Sequence, residues 1–285
     1  MSTVDENRAP LGVFDSGLGG LTVVHALLEA LPHEQIVYLG DTARVPYGTR
    51  SAETVVRYAR SCARVLTERK VKALVIACNT VSAVALDILR AELDMPVIGV
   101  VEPGARAASA AAEAETGVRG APVKVGVLGT PGTIASGAYP RAVSQISTRL
   151  EVVGQAAPLL VPLVEEGWLE GQVPELAVRR YVEPLIAGGT GVIVLGCTHY
   201  PLLKGVIERV AAEVAGHTIP VVDSAHAVAR TVVDWIEAGR IAPSLTAPPE
   251  PRLEVLVTDR PASFAEVAAR FLGERVPEVR QIDLT

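Results

Sequence analysis

Short runs rich in Val, Ile and Leu alternate along this chain with longer stretches of helical periodicity. That alternation predicts βαβ units and parallel sheets, because parallel neighbours need a crossover helix between them. The expected strands are Leu11–Phe14, Ile36–Gly40, Ala73–Ala77, Val97–Val100, Lys124–Gly129, Leu150–Gln155, Val192–Gly196, Pro220–Asp223 and Leu253–Val257. Most are continuously apolar, as strands covered on both faces must be. Helical patterns fall at Leu21–Leu31, Ser51–Arg69, Val81–Leu93, Pro201–Ala215 and Ser224–Ala238, and the Ala-rich Ala105–Ala114 reads as helix too. In Ser51–Arg69 the apolar stripe is Val55, Tyr58, Cys62, Val65 and Leu66.

The chain also resembles itself. Gly12-Val13-Phe14-Asp15-Ser16-Gly17 parallels Gly126-Val127-Leu128-Gly129-Thr130-Pro131, and Ala73–Thr80 parallels Val192–His199 in the same order. Two related α/β halves facing one another follow from this, each a mostly parallel sheet flanked by helices. With 285 residues and about 150 per domain, two domains are expected. A boundary near Val101–Gly104 and a return crossing near Ala215–Pro220 give a first domain of residues 1–101 plus 216–285 and a second of 102–215. Thr246–Pro251 reads as a Pro-rich surface loop.

Composition narrows the function. A net charge of −6, with lysine only at 70, 72, 124 and 204, argues against a nucleic-acid or anionic-membrane surface. The opening MSTVDENRAP has no apolar run, so no secretory signal is expected, and no stretch is long enough to span a bilayer; a cytoplasmic location follows. Three cysteines make no disulfide framework, and no C-x-x-C occurs to suggest zinc or a redox pair, so no metal is expected.

Two of those cysteines are placed for chemistry. Cys78 and Cys197 each follow a buried strand and precede a helical pattern, where ligands bind in open α/β sheets. Asn79, Thr80 and Thr198 are N-cap types, which sets each sulfur near a helix N-terminus, where thiolate is favoured. Cys62, on a helical stripe, reads as packing. Asp15 and Ser16 open the turn Asp15–Gly20, which matches no phosphate-binding fingerprint; its carboxylate suits an ammonium group, and Gly17, Gly19 and Gly20 read as a tight turn using glycine's φ freedom. Pro46-Tyr47-Gly48 suits a carboxylate, or equally a capped loop before the next helix. His199 stands two residues from Cys197, where an imidazole tunes a thiol. Glu165 and Glu166 end an apolar segment, commonly a solvated face.

Taken together, DSGLGGL (15–21), PYG (46–48), ACNT (77–80), PLVEEG (162–167) and GCTHYPLL (196–203) make the chain similar to bacterial glutamate racemases of the aspartate/glutamate racemase superfamily. The resemblance covers nearly the whole chain. It implies two α/β domains with the active site in the cleft between them, a cofactor-independent interconversion of L- and D-glutamate, and D-glutamate supply for peptidoglycan. It implies Cys78 and Cys197 as acid/bases, with Cys78 acting on D-glutamate and Cys197 on L-glutamate, and Asp15, Glu165 and His199 assisting. Substrate contacts are implied at Asp15, Ser16, Pro46, Tyr47, Gly48, Asn79, Thr80, Thr198 and His199. A homodimer is a further expectation, and so is a contact with DNA gyrase. A pyridoxal phosphate racemase would instead need a Schiff-base lysine, and only Lys204 lies near a motif.

Overall fold

In the computed structural model, residues 9–119, 123–244, 251–260, 264–273 and 276–284 are described. The first half runs β1 (Leu11–Asp15), α1 (Leu21–Ala30), β2 (Ile36–Gly40), α2 (Ala52–Glu68), β3 (Ala73–Ile76), α3 (Asn79–Glu92) and β4 (Val97–Gly99). Helix α4 (Val101–Arg119) crosses to β5 (Lys124–Gly129), α5 (Pro131–Ala135), α6 (Ala138–Ile146) and β6 (Val152–Ala156). There follow α7 (Leu160–Glu165), α8 (Gln172–Ala187), β7 (Thr190–Gly196), α9 (Lys204–Ala215) and β8 (Val221–Asp223). Helix α10 (Ser224–Glu237) leads back to β9 (Leu253–Val257), α11 (Phe264–Leu272) and β10 (Val279–Gln281).

The strands form two sheets, ordered β10-β9-β2-β1-β3-β4 and β6-β5-β7-β8. Every described pairing is parallel. The order β2-β1-β3-β4 recurs as β6-β5-β7-β8, so the repeat read from two short motifs extends to four strands of each half. Side chains alternate along β1 as strand geometry requires: Leu11 and Val13 join the apolar cluster of α1, Phe14 that of α2 and α3. The α1 cluster continues through α10 into the second sheet, taking in Leu128, Ile193 and Leu195, so the two halves share apolar core. Burying a side chain such as Val228 or Val232 of α10 there contributes about 1.5–3 kcal/mol.

Two expectations need correcting. Val221–Asp223 pairs with β7, so the second sheet continues past the return crossing expected at 215–220. Strand β10 was not expected; as an edge strand with one neighbour it carries Arg280 and Gln281 in place of an apolar run. The Pro-rich loop falls, apart from Pro251, outside the described residues. Ala105–Ala114 lies inside α4, and no described helix is long and apolar enough to cross a membrane. The returning chain is pinned by Ser244, which bonds Glu34 beside a buried Lys72–Glu34 ion pair of 2.6 Å.

Candidate active site

In each sheet the chain leaves its first strand to one side and later pairs a third strand on the other, at β1/β3 and at β5/β7. A crevice opens beyond the carboxyl ends of strands at such a reversal. The two crevices meet in one cavity of about 300 Å³. Cys78, just past β3, and Cys197, just past β7, both line it.

Cys78 caps the N-terminus of α3 and is 5% exposed. Its thiol donates to Ser16 Oγ at 3.4 Å. The expected thiolate is not favoured here: burial, reinforced by the Asp15 charge, pushes the thiol up to about 12 and outweighs the helix terminus. Asp15 lies beneath the turn rather than on the cavity wall, 1% exposed, and burial raises its carboxyl. Its Oδ2 accepts from the Gly17 amide at 3.1 Å, while Oδ1 is buried without a hydrogen-bond partner among the described residues. Asn79, which lines the cavity, likewise has a buried Nδ2 without a partner among the described residues.

The second wall is built differently. After Cys197 the chain makes a turn and a short 3-10 segment containing Pro201, and the α-helix begins only at Lys204. The N-terminus expected beside this sulfur is therefore a turn away. What faces it instead is His199, whose Nδ1 lies 3.8 Å from Cys197 Sγ and whose Nε2 lies 3.0 Å from Glu165 Oε1. Burial opposes charging of this imidazole, but the bonds to Cys197 and Glu165 prevail and raise it to about 10. Phe271 of α11 packs edge-on against the ring, centroids 5.0 Å apart, and Arg270 Nη1 donates to the Glu165 carbonyl at 2.6 Å. One sulfur thus faces a carboxyl and a hydroxyl, the other an imidazole.

The structure brings Ser16, Pro46, Tyr47, Gly48, Asn79, Thr80, Glu165, Thr198 and His199 to this cavity, and Asp15 directly below it. Tyr47 differs from the aromatic expected at a loop tip. It is 1% exposed, packs at a tilt against Tyr58 and donates to Asp41, which also accepts from Arg44 and Thr258. The cavity holds no lysine, and Lys204 reaches toward Glu208 on α9. Among the described residues no three His, Cys, Asp or Glu side chains group as metal ligands. Thr130 was missed: its hydroxyl meets Thr80 across the cleft at 3.0 Å. The repeat held the signal, since Thr130 occupies the place of Ser16 in the second copy.

The turn glycines also serve another purpose than expected. None of Gly17, Gly19 and Gly20 has a positive φ. They are small because neighbours are close. A Cβ on Gly19 would lie 2.4 Å from Thr198 Oγ1 and 2.5 Å from His199 Nδ1, and one on Gly20 would lie 2.5 Å from Asp15 Cβ.

The family model for Asp/Glu/Hydantoin racemase matches residues 15–232. A glutamate racemase of Geobacter metallireducens is 46% identical over 274 residues, 96% of each chain. Among solved structures, glutamate racemase from Thermus thermophilus, in complex with β-chloro-D-alanine, is 43% identical with a TM-score of 0.84. The one from Francisella tularensis, in complex with D-glutamate, is 33% identical with a TM-score of 0.85; each comparison covers 98% of both chains.

Proposed function

Because the chain belongs to the Asp/Glu/Hydantoin racemase family and is an amino-acid racemase, we propose that glutamate is its substrate and that Cys78 and Cys197 invert the α-carbon. The observation that carries this reading is the meeting of two thiols on one cavity, each past the equivalent strand of its own sheet. Inversion requires a proton to leave one face of Cα and another to arrive on the opposite face. One group cannot reach both faces of a bound substrate; two groups on opposing walls can.

For L-glutamate, the Cys197 thiolate takes the α-proton. The C–H bond breaks, an S–H bond forms, and the electron pair stays on Cα, delocalised into the carboxylate. Cys78 then gives its proton to the other face and is left as thiolate. D-glutamate runs the steps in reverse. The surroundings support the first arrangement: the His199 imidazole, itself held charged, stands 3.8 Å from the Cys197 sulfur, and burial keeps Cys78 protonated. Charge developing on the substrate carboxylate needs donors fixed in advance, and Asn79 Nδ2 is buried, unpartnered and at hand. This scheme uses no cofactor.

D-Glutamate is a peptidoglycan building block, so the proposed role is its supply in the cytoplasm. A homodimer and a DNA gyrase contact rest on the family resemblance alone. The test of the chemistry is incubation of purified protein in D₂O with L- or D-glutamate, following the α-proton by NMR and handedness by circular dichroism, with aspartate and hydantoins in parallel. Exchange and inversion of glutamate are expected from the wild type, and no inversion from Cys78→Ala or Cys197→Ala. Full turnover by either variant overturns the two-thiol scheme, and faster inversion of aspartate overturns the substrate.

A further inference from the structure

Tyr139 belongs to the second half, in α6, yet it touches both turns that carry the sulfurs. Its hydroxyl donates to Asn79 Oδ1 at 2.9 Å, next to Cys78. Its ring lies against Gly196, next to Cys197, where a Cβ would come 3.3 Å from Cε2. Its hydroxyl also stands 3.1 Å from the position of a Cβ on Gly104, near the start of α4. The side chain is 1% exposed, and burial keeps the phenol protonated well beyond neutral pH.

We infer that Tyr139 is a positioning residue whose hydroxyl holds the Asn79 amide with Nδ2 turned toward the substrate carboxylate. The inference rests on the proposed reading of Asn79 as a substrate donor. An asparagine amide presents an acceptor on one side and two donors on the other, and either can in principle face a ligand. Toward a carboxylate only the donor side is productive. The Tyr139 hydroxyl decides between them, because Asn79 Oδ1 is its one hydrogen-bond partner among the described residues. Turning the amide over would leave the phenolic proton buried with no acceptor, and would aim Oδ1 at the carboxylate. In the observed orientation the hydroxyl is satisfied, and the group left without a partner is the buried Nδ2 of a residue that lines the cavity.

The experiment is a double-mutant cycle of Tyr139→Phe and Asn79→Ala, read as kcat and KM for L- and D-glutamate well below each variant's measured Tm. Tyr139→Phe removes one oxygen and keeps the ring. It is expected to lower kcat/KM about tenfold, the scale of one directed hydrogen bond. Asn79→Ala is expected to lose more, and the double variant to match Asn79→Ala within about twofold, since without the amide the hydroxyl has nothing to orient. A merely structural role for Tyr139 would instead multiply the two losses, and that result overturns the inference while leaving Asn79 as a donor. Wild-type kinetics for Tyr139→Phe overturns it as well. Wild-type kinetics for Asn79→Ala removes the donor reading itself, and the inference falls with it.

Discussion

Replacing Gly19 with alanine adds a single methyl group at the place where the first half meets the imidazole of the second. Because Gly19 does not have a positive φ, the backbone accepts alanine without strain. The conflict is entirely one of space: the methyl carbon would lie 2.4 Å from Thr198 Oγ1 and 2.5 and 2.7 Å from His199 Nδ1 and Cε1. Ordinary contact is about 3.5 Å, so a displacement of about 1 Å is required. The Thr198 hydroxyl can rotate, but His199 is held behind by Glu165 and by the edge of Phe271. Overpacking of this kind costs about 1–3 kcal/mol, within the roughly 5–15 kcal/mol of a typical domain, so the variant folds. A shift of that size in a reacting constellation costs about 100-fold in rate, or about 2.7 kcal/mol of barrier. The assay is inversion of L-glutamate by circular dichroism beside a thermal melt, with Gly205→Ala as the control. A Cβ on Gly205 meets nothing within 4 Å, and alanine there is expected to leave the rate unchanged. If Gly19→Ala turned over within threefold of wild type, the claim that His199 must sit where it does would be refuted.

Cys62→Ala is expected to keep wild-type inversion while lowering stability by about 1 kcal/mol, because this thiol is fully buried in the core between α2 and the first sheet. Urea melts with parallel rate measurements check it, and a lost rate would make Cys62 part of the chemistry. His199 predicts a pH dependence of stability. Its folded value of about 10 lies above the unfolded value of about 6.5, so its contribution is complete below pH 6.5 and lost as pH rises toward 10. Between pH 7 and 10, wild-type Tm should therefore fall more steeply than that of His199→Asn; equal slopes would contradict the raised value.

What the sequence disclosed depended on whether the information was local. The strands were legible because a strand buried on both faces must be apolar throughout, and Cys78 and Cys197 because each is followed by two polar residues where an apolar pattern would otherwise continue. The polar edge strand β10 has no such signature. Tyr139 was invisible for a different reason: an aromatic in an amphipathic helix looks like packing, and only the partner 60 residues away gives its hydroxyl a purpose. The thiol state of Cys78 is not legible, because spacing reveals the helix terminus, whereas burial of the sulfur, the larger effect, exists only after the halves close. The close packing at Gly19 is not legible, because nothing nearby in the chain announces that His199 will arrive 180 residues later.

The unlike flanks of the two sulfurs, Ser16 with Asp15 on one side and His199 with Glu165 on the other, have a thermodynamic corollary. Mirror-image amino acids in water have identical free energies, so the mixture at equilibrium is racemic however lopsided the catalyst. Whatever the walls do to one hand's kcat/KM they must do to the other's, at every pH and in every variant. The asymmetry of the pocket can surface only under saturation, in which enantiomer fills it at the lower concentration and which departs more slowly.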